Sequence, residues 1–420
     1  MEHYSIVIFI LALLIGLAAV ADRIKIPYPV LLVIAGMAIG FVPVFPNIAL
    51  MPEVVFLIFL PPMLYDSAFN ISFRAFRTNL NTITTLSISL VFTTVVGIAI
   101  IAYYCIPGMT WPLAFVLGAI LSATDAVAAM SVTKGLNLSH KTLTILEGES
   151  LINDASALVA YRFAVAAVTG SAFVLWKATL DFAFLLVGGV VIGVLIGRMV
   201  SVLLLKVQKN GMVTISLLLL IPFVTYLIAE EIEVSGVIAV VAVGLVISRH
   251  AKQFFPETIR KESKTIWDII IFLLNGLVFI LIGIQFPYVV KSIDQAQILP
   301  YLGYALLIWF VTLLIRVVRV FLQQRSLNKA FQKRKHRISE DALLDFKTSV
   351  IISWSGMRGI VSLAVAIGLP VTLSDGTAFP QRSAIIFISV VVVLLTLIGQ
   401  GLTLPMLVKL LKMEDTRIEV

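Results

Sequence analysis

The chain has 420 residues, 60% of them hydrophobic and only 13% charged. Soluble domains are about 45–50% apolar and about 25% charged, so composition excludes a soluble globular enzyme, a disordered chain and a nucleic-acid binder. It leaves an all-α polytopic membrane protein. The net charge of +8, from 31 Lys and Arg against 23 Asp and Glu, is then expected to lie in basic cytoplasmic loops.

A spanning helix needs about 20 predominantly apolar residues. Thirteen stretches are read as spans: 4–21, 27–43, 51–70, 80–105, 111–133, 143–169, 179–205, 213–229, 232–248, 266–286, 298–322, 347–369 and 383–411. The first ends in Ala19-Val20-Ala21, like a signal-peptide cleavage site. Its leading segment holds Glu2 and His3 and no Lys or Arg, so it reads as an uncleaved helix. Only Glu230, Glu231 and Glu233 separate the eighth stretch from the ninth, and one long bent helix is the alternative there. Thirteen spans place 23 Lys and Arg in the loops on one side, including the run Arg325–Arg337, read as a basic loop. The other side has three: Lys177, Lys291 and Arg382. Five lie inside spans: Arg162, Arg198, Arg316, Arg319 and Arg358. The asymmetry puts the N-terminus outside and the C-terminus in the cytoplasm, with 413–420 a short cytoplasmic tail. One cysteine, Cys105, excludes an intramolecular disulfide.

Ionisable residues within spans are costly and point to function. The third stretch carries Pro61-Pro62, expected to disrupt helical bonding, then Asp66. Asp66 reads as a secondary cation ligand, as the entrance to a funnel, or as a helix-end cap. The fifth carries Ser122-Ala123-Thr124-Asp125 at its centre. Such a cluster favours local backbone bonding over a regular helix, and irregular backbone at this depth lines a cavity. Thr124 is the better ligand; Asp125 reads mainly as a cap on a helix break.

The sixth stretch holds Glu147-Gly148-Glu149-Ser150-Leu151-Ile152-Asn153-Asp154. Ser150 and Asp154 are four apart and share a face, as do Glu149 and Asn153 on the adjacent strip. A mid-span carboxylate with a hydroxyl one turn away is a hard-oxygen site, suited to Na⁺ or Li⁺. The same carboxylate binds a proton, and one group that binds either is the minimum apparatus for exchange. The bland alternative is interhelical hydrogen-bonding glue. The twelfth stretch holds Gly356-Met357-Arg358-Gly359. Two glycines and an arginine are all unfavourable in a spanning helix, so a second break is expected. Arg358 needs a buried partner, and Glu149 is the assigned one, leaving Asp154 free for the ion.

The suspected breaks lie in stretches five and twelve. If 1–6 and 8–13 are repeats, each break is fifth in its repeat, and the odd offset inverts one repeat against the other, as in secondary transporters. Together with Phe59-Leu60-Pro61-Pro62, Thr124-Asp125, Glu149 to Asp154, Phe272-Leu273-Leu274-Asn275 and Gly356 to Gly359, the chain resembles the monovalent cation/proton antiporters of the NhaP and eukaryotic NHE type. The resemblance covers essentially residues 1–412. It implies a homodimer with a scaffold drawn mostly from 27–105 and 213–322, and a moving core drawn mostly from 80–169 and 298–369. It implies Na⁺ and H⁺ binding at Asp154 with Ser150, Thr124 and Asp66, and a supporting set of Asn153, Glu149, Arg358 and Asp125. It also implies electroneutral exchange, because relatives with Asn-Asp, here Asn153-Asp154, behave so. Ala126 departs from relatives that carry proline there. No cofactor, enzyme activity or nucleic-acid partner is expected; the partners are monovalent cations, protons and the bilayer of the cell membrane. A K⁺/H⁺ or electrogenic antiporter is the alternative, and a cation channel a more distant one.

Overall fold

The computed structural model describes residues 2–24, 27–42, 57–133, 138–169, 175–207, 210–333, 339–373 and 376–411. The expected tail 413–420, the start of the third stretch at 51–56, and the basic residues Lys25, Lys134, Lys209, Arg334, Lys335, Arg337, Lys412 and Arg417 lie outside the described residues.

The described chain is all-helical. It opens with α1 Glu2–Ile24, α2 Tyr28–Gly40 and α3 Leu60–Asn70. After these come α4 Leu80–Cys105, then α5 Trp111–Ile120 and α6 Ala126–Thr133. The long helices α7 His140–Val168, α8 Leu175–Val207, α9 Gly211–Glu231, α10 Gly236–Phe254, α11 Glu257–Lys291 and α12 Gln295–Gln332 follow. The last are α13 Phe346–Trp354, α14 Ile360–Ile367 and α15 Arg382–Leu410. Eight are long and apolar enough to cross a membrane: α4, α7, α9, α10, α11, α12, α15 and, from Ala183 on, α8.

Local chemistry explains the boundaries. Ser139, Asn210, Ser235 and Asp345 each accept a backbone N–H from three residues on, at 3.2–3.4 Å. These are N-caps for α7, α9, α10 and α13. Glu233 sits at φ +61 in the turn between α9 and α10, which therefore form two helices, not one bent one. Pro61 and Pro62 interrupt helical bonding as expected: residues 57–58 are helical, Phe59 forms a turn, and α3 starts afresh at Leu60 with both prolines in its first turn, where they offer no N–H to the turn before. The segment Arg325–Lys333 corrects an expectation: α12 continues through Gln332. Hydropathy falls there, but Gln, Arg, Lys, Leu and Ala are all good helix formers and no Gly or Pro interrupts them.

The chain forms two compact units. One comprises Met1–Leu50, Arg77–Ser171 and Asn275–Val420; the other Met51–Phe76 and Ala172–Leu274, so that α11 is divided between them. In the first, Leu86, Leu90, Ile145, Leu146, Val320 and Ile352 form a buried cluster among α4, α7, α12 and α13. Val91, Val95, Ala119, Ala123 and Ala157 pack a second one, joining α4 and α7 to α5 and the segment after it. In the second, Gly189, Gly193 and Gly197 recur every four residues along α8. A Cβ on any of them would meet α10 or the residue just before it: Ser235 O at 2.8 Å, Ala242 Cβ at 2.7 Å and Val246 Cβ at 2.9 Å respectively. Small residues at this spacing let helices in lipid approach closely.

Candidate functional site

The first unit contains two interrupted helices. Residues 121–125 separate α5 from α6, and 355–359 separate α13 from α14, at the positions where Ser/Thr/Asp and Gly-Met-Arg-Gly clusters predict breaks. The breaks touch: the Asp125 N–H donates to Met357 O at 2.7 Å. The Arg358 N–H donates to Thr396 Oγ1 at 3.1 Å, and Thr396 sits in a single π-helical turn of α15, Leu395–Gln400.

An interrupted helix exposes carbonyls at one end and N–H groups at the other, with partial charges to match. At the carbonyl end after α5, Arg358 Nε donates to Leu121 O at 3.1 Å, and its Nη1 donates to Gly356 O at 2.6 Å. At the carbonyl end of α13, Arg316 Nε donates to Ile352 O at 2.9 Å. At the N–H end of α6, Asp125 Oδ1 accepts from Ala128 N at 3.2 Å. Cations sit at negative ends and a carboxylate at a positive one. The cap reading of Asp125 therefore has its hydrogen bond.

The two glycines of the motif are spaces for these charges. A Cβ on Gly356 would lie 2.7 Å from Arg316 Nε, and one on Gly359 would lie 2.6 Å from Asp125 Cγ. Neither can be accommodated without moving a charged side chain, the buried Arg316 or the partly buried Asp125.

Helix α7 lies against this crossing. Its Glu149, 1% exposed, receives Arg316 Nη1 at 2.5 Å and Nη2 at 2.8 Å in a bidentate pair. This corrects the expected pairing of Glu149 with Arg358. Arg358, 2% exposed, is occupied by the break's own carbonyls, and Gly356 opens the path by which Arg316 reaches Glu149 instead. Arg316 was visible in the sequence only as one of five in-span arginines. The signal that singles it out is the stripe Arg316, Arg319, Gln323 along one face of α12; the second donates to Ser89 and the third to Asn81.

Glu149 and Asn153 both meet Thr124. Its Oγ1 donates to Glu149 Oε1 at 3.0 Å and accepts from Asn153 Nδ2 at 2.6 Å, so one lone pair remains. Asn153 Nδ2 also donates to Thr124 O at 3.2 Å. A backbone carbonyl accepts only, which fixes the orientation of the amide and leaves Asn153 Oδ1 buried without a partner. Ser150 Oγ accepts from Ala126 N at 3.4 Å. Asp154 is 7% exposed and makes no hydrogen bond or ion pair among the described residues. Every other polar side chain of Glu149-Ser150-Asn153-Asp154 is tied to the crossing; its carboxylate is not. The described residues hold no group of three or more His, Cys, Asp or Glu able to bind a metal ion.

Asp66 belongs to the second unit. It lies half-buried on α3 and accepts from Asn70 Nδ2 at 2.8 Å.

Comparison with known proteins agrees with this architecture. The profile of the family described as "Sodium/hydrogen exchanger, transmembrane" matches residues 9–410. A "Sodium, potassium, lithium and rubidium/H(+) antiporter" of Bacillus subtilis is 36% identical over 414 residues, 96% of this chain and 61% of that protein. The low-affinity Na⁺/H⁺ antiporter NhaS1 of Synechocystis is 35% identical over 388 residues, 92% of this chain and 69% of that protein. The chain thus spans about three-fifths of the length of the Bacillus relative. Among solved structures, the sodium proton antiporter MjNhaP1 of Methanocaldococcus jannaschii has the same fold, with a TM-score of 0.76 at 20% identity over 99% of this chain and 100% of that one. The chain is a multi-pass membrane protein that belongs to the transmembrane sodium/hydrogen exchanger family.

Proposed function

We propose that the protein exchanges Na⁺ or Li⁺ for H⁺ across the cell membrane, one for one, by alternating access. Cation and proton compete for the Asp154 carboxylate. The observation that carries this reading is the contrast along one helix: Glu149 is neutralised by Arg316, while Asp154 is buried and unpaired. A lone carboxylate in a membrane interior is costly unless it binds something. Ionised, it holds the cation, with Ser150 and Thr124 supplying hydroxyl oxygens and Asn153 Oδ1 an amide oxygen. Protonated, it returns neutral. Either way the site crosses with one charge neutralised, which makes exchange one for one and indifferent to voltage. Arg358 and Asp125 hold the two breaks in register, and the buried Glu149–Arg316 pair ties α7 to α12.

The wider arrangement read from sequence symmetry and charge asymmetry comprises thirteen spans in two inverted repeats, with the N-terminus outside and the C-terminus in the cytoplasm. The family resemblance adds a homodimer whose scaffold is drawn mostly from 27–105 and 213–322 and whose moving core mostly from 80–169 and 298–369. Potassium is the second reading, because the name of the Bacillus relative includes it.

Proteoliposomes test the proposal. Na⁺, Li⁺ or K⁺ is added outside while internal pH is followed, with and without a voltage clamp by valinomycin and K⁺ (omitted in the K⁺ arm). Alkalinisation with Na⁺ or Li⁺, unchanged by the clamp, is the expected result. Alkalinisation with K⁺ as well broadens the substrate range. Dependence on the clamp overturns the one-for-one ratio, and absence of any pH change from folded protein overturns exchange itself.

A further inference from the structure

We propose that the second unit carries a binding site for the headgroup of an anionic phospholipid, at the turn joining α10 to α11. Both helices are long and apolar enough to cross a membrane. One ends at Phe254 and the next begins at Glu257, so the turn between them lies at headgroup level.

A cavity of about 230 Å³ opens at this turn, several times the ~30 Å³ share of one water molecule. Lys252, Arg260, Lys261 and Lys264 line it, against the single carboxylate of Glu257. Glu257 pairs with Lys261 at 2.8 Å, with both side chains about three-quarters exposed, and such pairs are weak and screened. The cavity is therefore positive overall. Lys264 also faces the charge of Asp66, which tempers but does not cancel that excess.

A second observation is independent of the surface charges. Ser263 lines the same cavity, is 3% exposed, and its hydroxyl has no hydrogen-bond partner among the described residues. Buried hydroxyls without partners are uncommon, and a phosphate oxygen would supply the missing acceptor.

The remaining wall is mainly apolar, with Phe69, Ala251 and Phe255 beside the polar Asn70 and Ser248. A free anion gains nothing from such a wall. A phospholipid presents both parts at once, a phosphate for the cations and Ser263, and glycerol and acyl carbons for the aromatic side. Basic pockets at the cytoplasmic ends of spanning helices attract anionic lipid for the same electrostatic reason.

Native mass spectrometry of the purified full chain tests this, with dioleoylphosphatidylglycerol and dioleoylphosphatidylcholine supplied at equal concentration. The phosphatidylglycerol is expected to be retained in preference. The double substitution K252Q/R260Q is expected to weaken its retention at least about fivefold, with the melting temperature unchanged. Ser263→Ala weakens it independently, whereas K329Q/K333Q, which removes as many charges from the end of α12, leaves it intact. Excess inorganic phosphate does not displace the lipid. Equal retention of the two lipids, or retention unaffected by K252Q/R260Q and Ser263→Ala, overturns the proposal. Displacement by inorganic phosphate also overturns it and assigns the cavity to a free anion.

Discussion

Glycine does opposite work in the two units. In the second, Gly189, Gly193 and Gly197 remove side chains so that α8 can approach α10, and the neighbours are backbone and aliphatic carbon. In the first, Gly356 and Gly359 remove side chains so that a guanidinium and a carboxylate can occupy the gap. One arrangement brings helices together where lipid supplies no hydrophobic drive for association. The other admits charge where lipid excludes it. The same residue type thus marks a packing seam in one unit and a polar crossing in the other. What distinguishes them in the sequence is the company: Val, Ile and Leu around the first set, Ser, Met and Arg around the second.

The largest effect that would break this contrast concerns the charge the crossing admits. Glu149→Leu leaves Arg316 buried and uncompensated, which costs about 3–5 kcal/mol. Thermal unfolding in detergent should show this loss, and E149L/R316L should recover part of it. A double variant no more stable than the single would mean that the pair does not hold α7 to α12.

The next effect sharpens the comparison directly. Gly193→Ala and Gly359→Ala each force a methyl into filled space, at about 1–3 kcal/mol. Their consequences should diverge. Gly193→Ala lowers the melting temperature and leaves exchange per folded molecule unchanged, while Gly359→Ala displaces Asp125 and lowers exchange per folded molecule. Equal effects on exchange would erase the distinction between seam and crossing.

A smaller effect probes the ligand set. Thr124→Val removes one oxygen, the donor to Glu149 Oε1 and one of the two acceptors for Asn153 Nδ2. The apparent KM for Na⁺ is expected to rise about tenfold, the equivalent of one hydrogen bond. An unchanged KM would remove Thr124 from the site. The smallest is Ser139→Ala, which deletes the N-cap of α7 and lowers stability by about 1 kcal/mol, with exchange unaffected in an assay normalised to folded protein.

Much of this architecture is legible in the sequence because its causes are local. Ser150 and Asp154 share a face by spacing alone, and both breaks announce themselves in four-residue clusters that no regular spanning helix favours. The split between α9 and α10 is written in Glu230, Glu231 and Glu233. The partner of Glu149 is not local. Arg316 lies 167 residues away and meets it only because Gly356, on a third helix, leaves the path open. An arginine's cost within a span marks it as paired without naming the partner, and Arg358 carried the same mark inside a more conspicuous motif. The extent of α12 was hidden for another reason. Hydropathy reports where apolar sequence ends, and α12 continues past that point on helix propensity. The interruption at Phe59 was legible for a local reason: Pro61 and Pro62 lack the N–H groups that would continue the helix of residues 57–58, and they start a new one at Leu60.

The central claim is that Asp154 is the group for which cation and proton compete. Na⁺-driven proton movement, measured in parallel proteoliposomes holding equal amounts of folded wild-type protein and Asp154→Asn, tests it most directly. The account predicts alkalinisation from the wild type and none from the variant, with both melting as single folded species. Exchange by folded Asp154→Asn at a rate near that of the wild type would contradict it, and the carboxylate that carries the ion would have to be sought elsewhere in the chain.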